Sequence, residues 1–275
     1  MQKIIEGIIY GIIQGLTEFI PISSTAHIRV IPALLHWDDP GAAYTAVIQI
    51  GTLIATLIYF RNDIGDLITG FLRALKTRDF ITEPYARLSM LIIVGTIPIS
   101  ILGLSLKKYI EGDFRGLYVV AASLIVFAIV LFLAEKMASK KKDLKEITVW
   151  DGIIIGFAQA VALIPGASRS GVTITAGLFS GLKRETAARY SFLLSIPAVA
   201  LSGVYELFSK RAELLHENAI GLIVSTLVSG IVGYMAIAFL INYLKTRSNL
   251  IFIIYRIALG IIIIALLSAG VLKNI

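Results

Sequence analysis

Two short stretches hold the side chains that could do chemistry. "LTEFIPISSTAHI", residues 16–28, sets Glu18 before Pro21 and places Ser23, Ser24, Thr25 and His27 after it. "PGASRSGVT", residues 165–173, sets Arg169 among Ser168, Ser170 and Thr173, with Gly166 and Gly171. A carboxylate at membrane depth is expensive unless it is paired, hydrated or metal-bound. Gln14 lies four residues before Glu18, on the same helical face, so both side chains can reach one ligand. The three hydroxyl residues stand where a second half-helix starts, a position at which serine and threonine cap well. Capping does not exclude catalysis. Beside Glu18 and Ser24, His27 becomes a candidate general acid/base or nucleophile. Arg169 presents a planar fork suited to phosphate oxygens. The glycines and the helix start beside it favour an anion. One stretch supplies carboxylate, hydroxyls and imidazole; the other supplies an anion cradle. Together they suggest a phosphate-containing ligand approached from lipid.

The rest of the chain must hold these stretches at membrane depth. Its 275 residues are 57% hydrophobic and 16% charged, with no cysteine and a net charge of +7. That composition excludes a soluble enzyme and, without cysteine, excludes disulfides, iron–sulfur clusters and thiolate metal sites. The net charge reads as loop lysine and arginine, not as a nucleic-acid surface. The N-terminal apolar run is not read as a removable signal peptide.

Six segments are long enough to cross about 30 Å of hydrocarbon, near 42–60, 84–106, 116–135, 186–208, 218–243 and 250–272. Residues 4–35 and 150–182 are apolar too, but proline and polar residues break each near its middle. Each half is expected to be too short to span, so each region reads as a re-entrant helix–loop–helix. Such backbone is tolerated only inside protein or beside a wet cavity. The expected fold is therefore an all-α, polytopic membrane bundle with six full spans and two re-entrant pairs, forming a single membrane domain over 1–275.

The two broken regions also resemble each other. Gly7, Gly11, Gln14 and Gly15 match Gly152, Gly156, Gln159 and Ala160, and Pro21 matches Pro165 with one deletion. The halves, about 1–140 and 150–275, form a weak repeat of one re-entrant pair and three spans. Three is odd, so the second copy is inverted, and inverted repeats place a site near the midplane where broken helices meet. The small-residue stripes are read as plain helix packing. Loops with Arg61, Arg73, Lys76, Lys136, Lys140, Lys141, Lys142, Lys183 and Lys245 are the more cationic, so that side is expected to be cytoplasmic and both termini outward. Residues 62–80 read as an amphipathic helix on the cytoplasmic interface. His36 and His216 sit at loop edges and read as solvated.

"QGLTEFIPISSTAH" together with "PGASRSGVT" resembles the undecaprenyl-diphosphate phosphatase family, also called bacitracin-resistance proteins, over nearly the whole chain. The resemblance implies removal of a phosphate from undecaprenyl diphosphate in the bacterial inner membrane, with a divalent cation, Mg²⁺ or Ca²⁺. It implies recycling of the lipid carrier for cell-wall synthesis, and bacitracin resistance. It places catalytic roles on Glu18, Ser24, His27 and Arg169, the metal on Glu18, and substrate contacts on Gln14, Ser23, Thr25, Gly166, Ser168, Ser170, Gly171 and Thr173. The nucleophile stays open among Ser24, His27 and water. Two departures stand out: Ala26 where the family usually has glycine, and Gln14 at a position that can be acidic. The latter leaves one carboxylate for the metal, with diphosphate and water completing its shell. The expected partners are a prenyl diphosphate lipid and membrane lipids, with homo-oligomer formation left open and no nucleic acid. The competing reading is a secondary transporter or lipid flippase using the same broken helices.

Overall fold

The computed structural model describes residues 2–35 and 37–274. His36 lies outside the described residues, as does the side chain of His216. The chain is helical: α1 Gln2–Phe19, α2 Ser24–Leu35, α3 Gly41–Tyr59, α4 Arg61–Thr77, α5 Pro84–Ser105, α6 Lys107–Glu111, α7 Leu117–Met137, α8 Val149–Val161, α9 Arg169–Phe179, α10 Arg184–Ser209, α11 Arg211–Thr246 and α12 Leu250–Ser268. Local chemistry explains several starts. Proline opens α5, whose N-cap Glu83 accepts a bond from Ala86 N. Thr148 and Asp151 close a reciprocal capping box on α8.

Among the described residues, six helices are long and apolar enough to cross a membrane: α3, α5, α7, α10, α12 and residues 219–246 of α11. The protein is a multi-pass membrane protein. Its spans fall within a few residues of the expected ones, because long apolar runs bounded by charged loops leave little freedom. The two broken regions are helix–loop–helix units, α1–α2 and α8–α9. With 18 residues, α1 is roughly 27 Å long, longer than the half-span expected, yet it is not among the six apolar spans. It carries Lys3, Glu6 and Glu18, and the apolar pattern alone did not show that the helix already begins at Gln2. The segment read as amphipathic is α4, which buries Leu67, Gly70 and Ala74 against α5 and exposes Ile68, Leu72 and Leu75.

Packing crosses between the two halves of the chain. α1 lies on α11, and α8 lies on α5; α3 packs on α11 and α10, α10 on α5, and α7 on α12. Small residues set these distances. A Cβ at Gly7 would stand 2.8 Å from Gly221 O, and one at Gly156 only 2.5 Å from Gly95 Cα. Both stripes therefore do the packing work expected of them. Each broken unit is thus clamped by a span from the other half, which brings the two breaks together in the interior.

Candidate active site

Each break is built the same way. After α1, the chain turns through Pro21, and Ser23 adopts a left-handed φ of +75° while its Oγ accepts Ala26 N at 3.3 Å. After α8, the chain turns through Pro165 and Gly166 (φ +91°), and Ser168 takes φ +69° with its Oγ accepting Gly171 N at 3.2 Å. A side chain at φ > 0 is strained, and here the cap that starts the next half-helix compensates. Ser23 and Ser168 are separated by the same interval as Gly7 and Gly152, so the repeat extends to the caps themselves. The capping reading holds for Ser23, and Ser168 caps the second break in the same way.

Between the breaks lies a buried polar cluster. Arg169 Nη2 donates to Glu18 Oε1 at 2.5 Å, an ion pair whose side chains are 12% and 5% exposed. Gln14 Nε2 donates to Glu18 Oε2 at 2.7 Å, and Ser24 Oγ donates to the same oxygen at 3.2 Å. Four of the residues singled out in the sequence thus form one connected group. Arg169 is anchored at α9's first turn, where Thr173 Oγ1 donates back to Arg169 O at 2.7 Å and accepts from Ser191 Oγ at 2.5 Å. Ser170 Oγ faces Ser168 Oγ at 3.2 Å and reaches Ile20 O at 3.5 Å, tying the second break to the first.

His27 does not join Glu18. Its Nδ1 meets Ser23 O at 2.7 Å and its Nε2 meets Tyr255 OH at 2.6 Å, with the two rings stacked. A carbonyl can only accept, so Nδ1 carries the proton and Nε2 accepts from the tyrosine. Gly166 and Gly171 serve close packing. A Cβ at Gly166 would stand within reach of Val120 O, and one at Gly171 would stand 2.6 Å from Arg256 Nη1. The N–H of Gly171 is already used by the Ser168 cap.

Sequence reasoning missed three residues here. Arg256, fully buried in α12, donates to Gly166 O at 3.1 Å, Ala167 O at 2.9 Å and Pro21 O at 3.5 Å. It fastens both breaks with one guanidinium. Tyr255 holds His27, and Ser191 holds Thr173. A lone arginine inside "IFIIYRIALG" was the available signal, since a charge within a span marks a function or a partner.

The cluster opens into a cavity of about 470 Å³. Glu18, Ser24, Thr25, Ser168 and Arg169 line one end; Lys107, Ile110, Tyr205 and Glu206 line the other; Ala42, Ala46, Ile99, Gly103, Leu104, Leu163 and Leu201 form much of the wall between. At the far end Lys107 Nζ meets Glu206 Oε1 at 2.6 Å. Gln14, Ser23, His27, Gly166, Ser170, Gly171 and Thr173 stand behind the cavity wall rather than on it. A polar head and an apolar sleeve suit a lipid with an anionic head group.

Among the described residues, no three His, Asp or Glu side chains gather as a cage for a metal. The donors present do fit a hard cation that draws most of its ligands from elsewhere. Glu18 provides carboxylate oxygens, and Gln14 Oε1 is buried with no hydrogen-bond partner. Mg²⁺ is held in this way by one or two protein oxygens plus phosphate and water.

Comparison with known proteins agrees with this geometry. Residues 7–262 match the family described as Bacitracin resistance protein BacA. An undecaprenyl-diphosphatase of Myxococcus xanthus is 54% identical over 272 residues, covering 99% of this chain and 92% of that protein. One of Chloroherpeton thalassium is 52% identical, covering 99% of both. The "Undecaprenyl-diphosphatase 2" of Streptomyces coelicolor is 48% identical over 98% of this chain and 96% of its own length. With both breaks inside the matched region, and with identity near one half over nearly the whole chain, the chain belongs to the bacitracin resistance protein family.

Proposed function

We propose that this chain hydrolyses undecaprenyl diphosphate to undecaprenyl phosphate and inorganic phosphate, recycling the lipid carrier for cell-wall synthesis and giving bacitracin resistance. The observation that carries the reading is the Arg169–Glu18 pair joining the two breaks at the head of an apolar-walled cavity. It is supported by relatives named undecaprenyl-diphosphatase over the full chain.

The chemistry follows from what reaches the cavity. Arg169 has a buried Nη1 with no protein partner, a donor left for a phosphate oxygen. Ser24 lines the cavity and donates to Glu18. This is the nucleophile–base arrangement. In the scheme we favour, Ser24 Oγ attacks the terminal phosphorus while Glu18 takes its proton. The bond from that phosphorus to the bridging oxygen breaks, and undecaprenyl phosphate leaves with the oxygen. Water then attacks the phosphoserine, releasing inorganic phosphate and restoring Ser24. Phosphoryl transfer needs mainly positioning and charge stabilisation, which the two clamped breaks supply. His27, with both ring nitrogens occupied, orients the Ser23–Ser24 turn. A divalent cation, Mg²⁺ or Ca²⁺, held by Glu18 and Gln14, would neutralise diphosphate charge. Thr25 and Ser168, on the cavity wall beside Ser24 and Arg169, offer further hydroxyls to the head group; Ser23, Ser170, Thr173, Gly166 and Gly171 shape the loops that present it.

The same reading makes the fold one membrane domain of two inverted repeats, about 1–140 and 150–275. It puts the termini outward and the site near the midplane, open to the outer face. Supporting this, the cavity runs from the breaks toward Lys107 and Glu206, on the side with fewer loop cations. Broken helices and crossed packing also suit a lipid carrier. Phosphate release by the purified protein in detergent separates the two readings, because no gradient or second compartment exists there. Release that stops with EDTA supports the phosphatase; a folded protein that releases none leaves only the carrier.

A further inference from the structure

Gln49 is a polar side chain within the span α3, and the scheme above does not use it. It is half-buried and lines the same cavity as Glu18, Ser24 and Arg169. Its amide makes no hydrogen bond to another described residue, whereas Ser24 and Arg169 are tied into the cluster. An amide at this depth needs a partner, either water or a ligand.

Its height in the bundle can be read from the glycines. Gly15 and Gly51 both close on Ser229, and Gly233 touches both Phe19 and Thr52. The Gln49 turn of α3 therefore stands beside the Gly11–Gly15 turn of α1, about one turn before Glu18. Ala42, Ala46 and Gln49 lie on one helical face, and all three line the cavity. Passing inward along this wall, a ligand meets two alanines, then an amide, then the charged cluster. A prenyl diphosphate has the same order of chemistry: hydrocarbon, inner phosphate, terminal phosphate. With the terminal phosphate on Arg169 and Ser24 and the hydrocarbon on the alanines, the inner phosphate falls at Gln49.

We propose that Gln49 is a substrate-binding residue that donates its amide N–H to the phosphate retained on the prenyl chain. The proposal rests on the phosphatase reading. It predicts that Gln49 contacts the lipid product as well as the substrate, because the inner phosphate stays on the chain after hydrolysis.

The experiment uses the full-length protein in detergent, with phosphate release from undecaprenyl diphosphate and inhibition by undecaprenyl phosphate and by inorganic phosphate. Gln49→Leu removes the amide, and Gln49→Glu keeps its shape while replacing the donor with a negative charge. A hydrogen bond to a charged group corresponds to roughly a tenfold to hundredfold effect. We expect kcat/KM to fall by about that factor in Gln49→Leu and further in Gln49→Glu. Inhibition by undecaprenyl phosphate should weaken in parallel, with inhibition by inorganic phosphate unchanged. Wild-type constants in both variants would overturn the proposal and leave Gln49 as a water-solvated wall residue. So would a loss of kcat with undiminished inhibition by undecaprenyl phosphate. Failure of the underlying reading looks different: the wild-type protein itself would release no phosphate.

Discussion

Replacing Arg256 with methionine tests how the two breaks are held. The guanidinium is fully buried and its partners are backbone carbonyls of Gly166 and Ala167 at 3.1 and 2.9 Å, with Pro21 at a marginal 3.5 Å. Two sound charged hydrogen bonds amount to about 3–6 kcal/mol at roughly 1.5–3 kcal/mol each. Removing the charge also removes its desolvation penalty, while the carbonyls lose their donor, so the net destabilisation should be about 2–4 kcal/mol. At roughly 2–4 °C per kcal/mol for a chain near this size, Tm in detergent should fall by about 5–15 °C. Activity should fall as well, because the loop that presents Arg169 loses its anchor to α12. A misplacement near 1 Å can remove about a hundredfold in rate. Arg256→Lys reaches fewer carbonyls and should fall between. Gly171→Ala supplies an independent check, since its Cβ would stand 2.6 Å from Nη1 and must push the guanidinium aside. The assay is thermal unfolding in detergent alongside phosphate release. An Arg256→Met protein with wild-type Tm and wild-type turnover would refute the reasoning.

Further expectations follow from the same geometry. Rapid quenching with substrate radiolabelled on its terminal phosphate should leave label on Ser24 in the wild type and none in Ser24→Ala; turnover with no labelled protein in either would point to direct attack by water. Gly51→Ala should lower Tm, by roughly 1–3 kcal/mol of overpacking, because its Cβ would collide with Thr226 O and Ser229 Oγ. Gly65→Ala, in an exposed turn of α4 with nothing within 4 Å, should leave Tm unchanged or raised. The chain has no cysteine, so single cysteines at the exposed positions of Lys273 and Lys141 report topology cleanly. An impermeant thiol reagent on intact cells should label Lys273→Cys at once and Lys141→Cys only after permeabilisation, and the reverse pattern would invert the orientation.

Much of the architecture was legible because the solvent it faces is demanding. Apolar runs of about 20 residues have few alternatives to spanning helices, and polar residues beside proline inside such runs have few alternatives to a shared site. No carboxylate lies near Arg169 in its own repeat, which leaves the opposite loop or a ligand as its partner, and Glu18 is there at 2.5 Å. What stayed hidden depends on long-range register. Arg256 was visible as an arginine in an apolar span, but its carbonyl partners are residues whose side chains say nothing of the bond. Tyr255 and His27 meet across 228 positions, and no local pattern links them. Gly171 reads as a residue that exposes backbone to a ligand; in the fold it makes room for Arg256 and spends its N–H on the Ser168 cap. Gln49 looks like any interhelical amide until its wall of the cavity is seen.

The most direct test of the central claim, that the two breaks meet to form one hydrolytic site, is phosphate release from undecaprenyl diphosphate by the purified Glu18→Ala, Arg169→Ala and double variants. If the pair acts as one unit, each single change should abolish nearly all activity and the double variant should lose little more than either. A double variant whose loss is the product of two independent modest losses, or an Arg169→Ala protein with near-wild-type turnover, would contradict it.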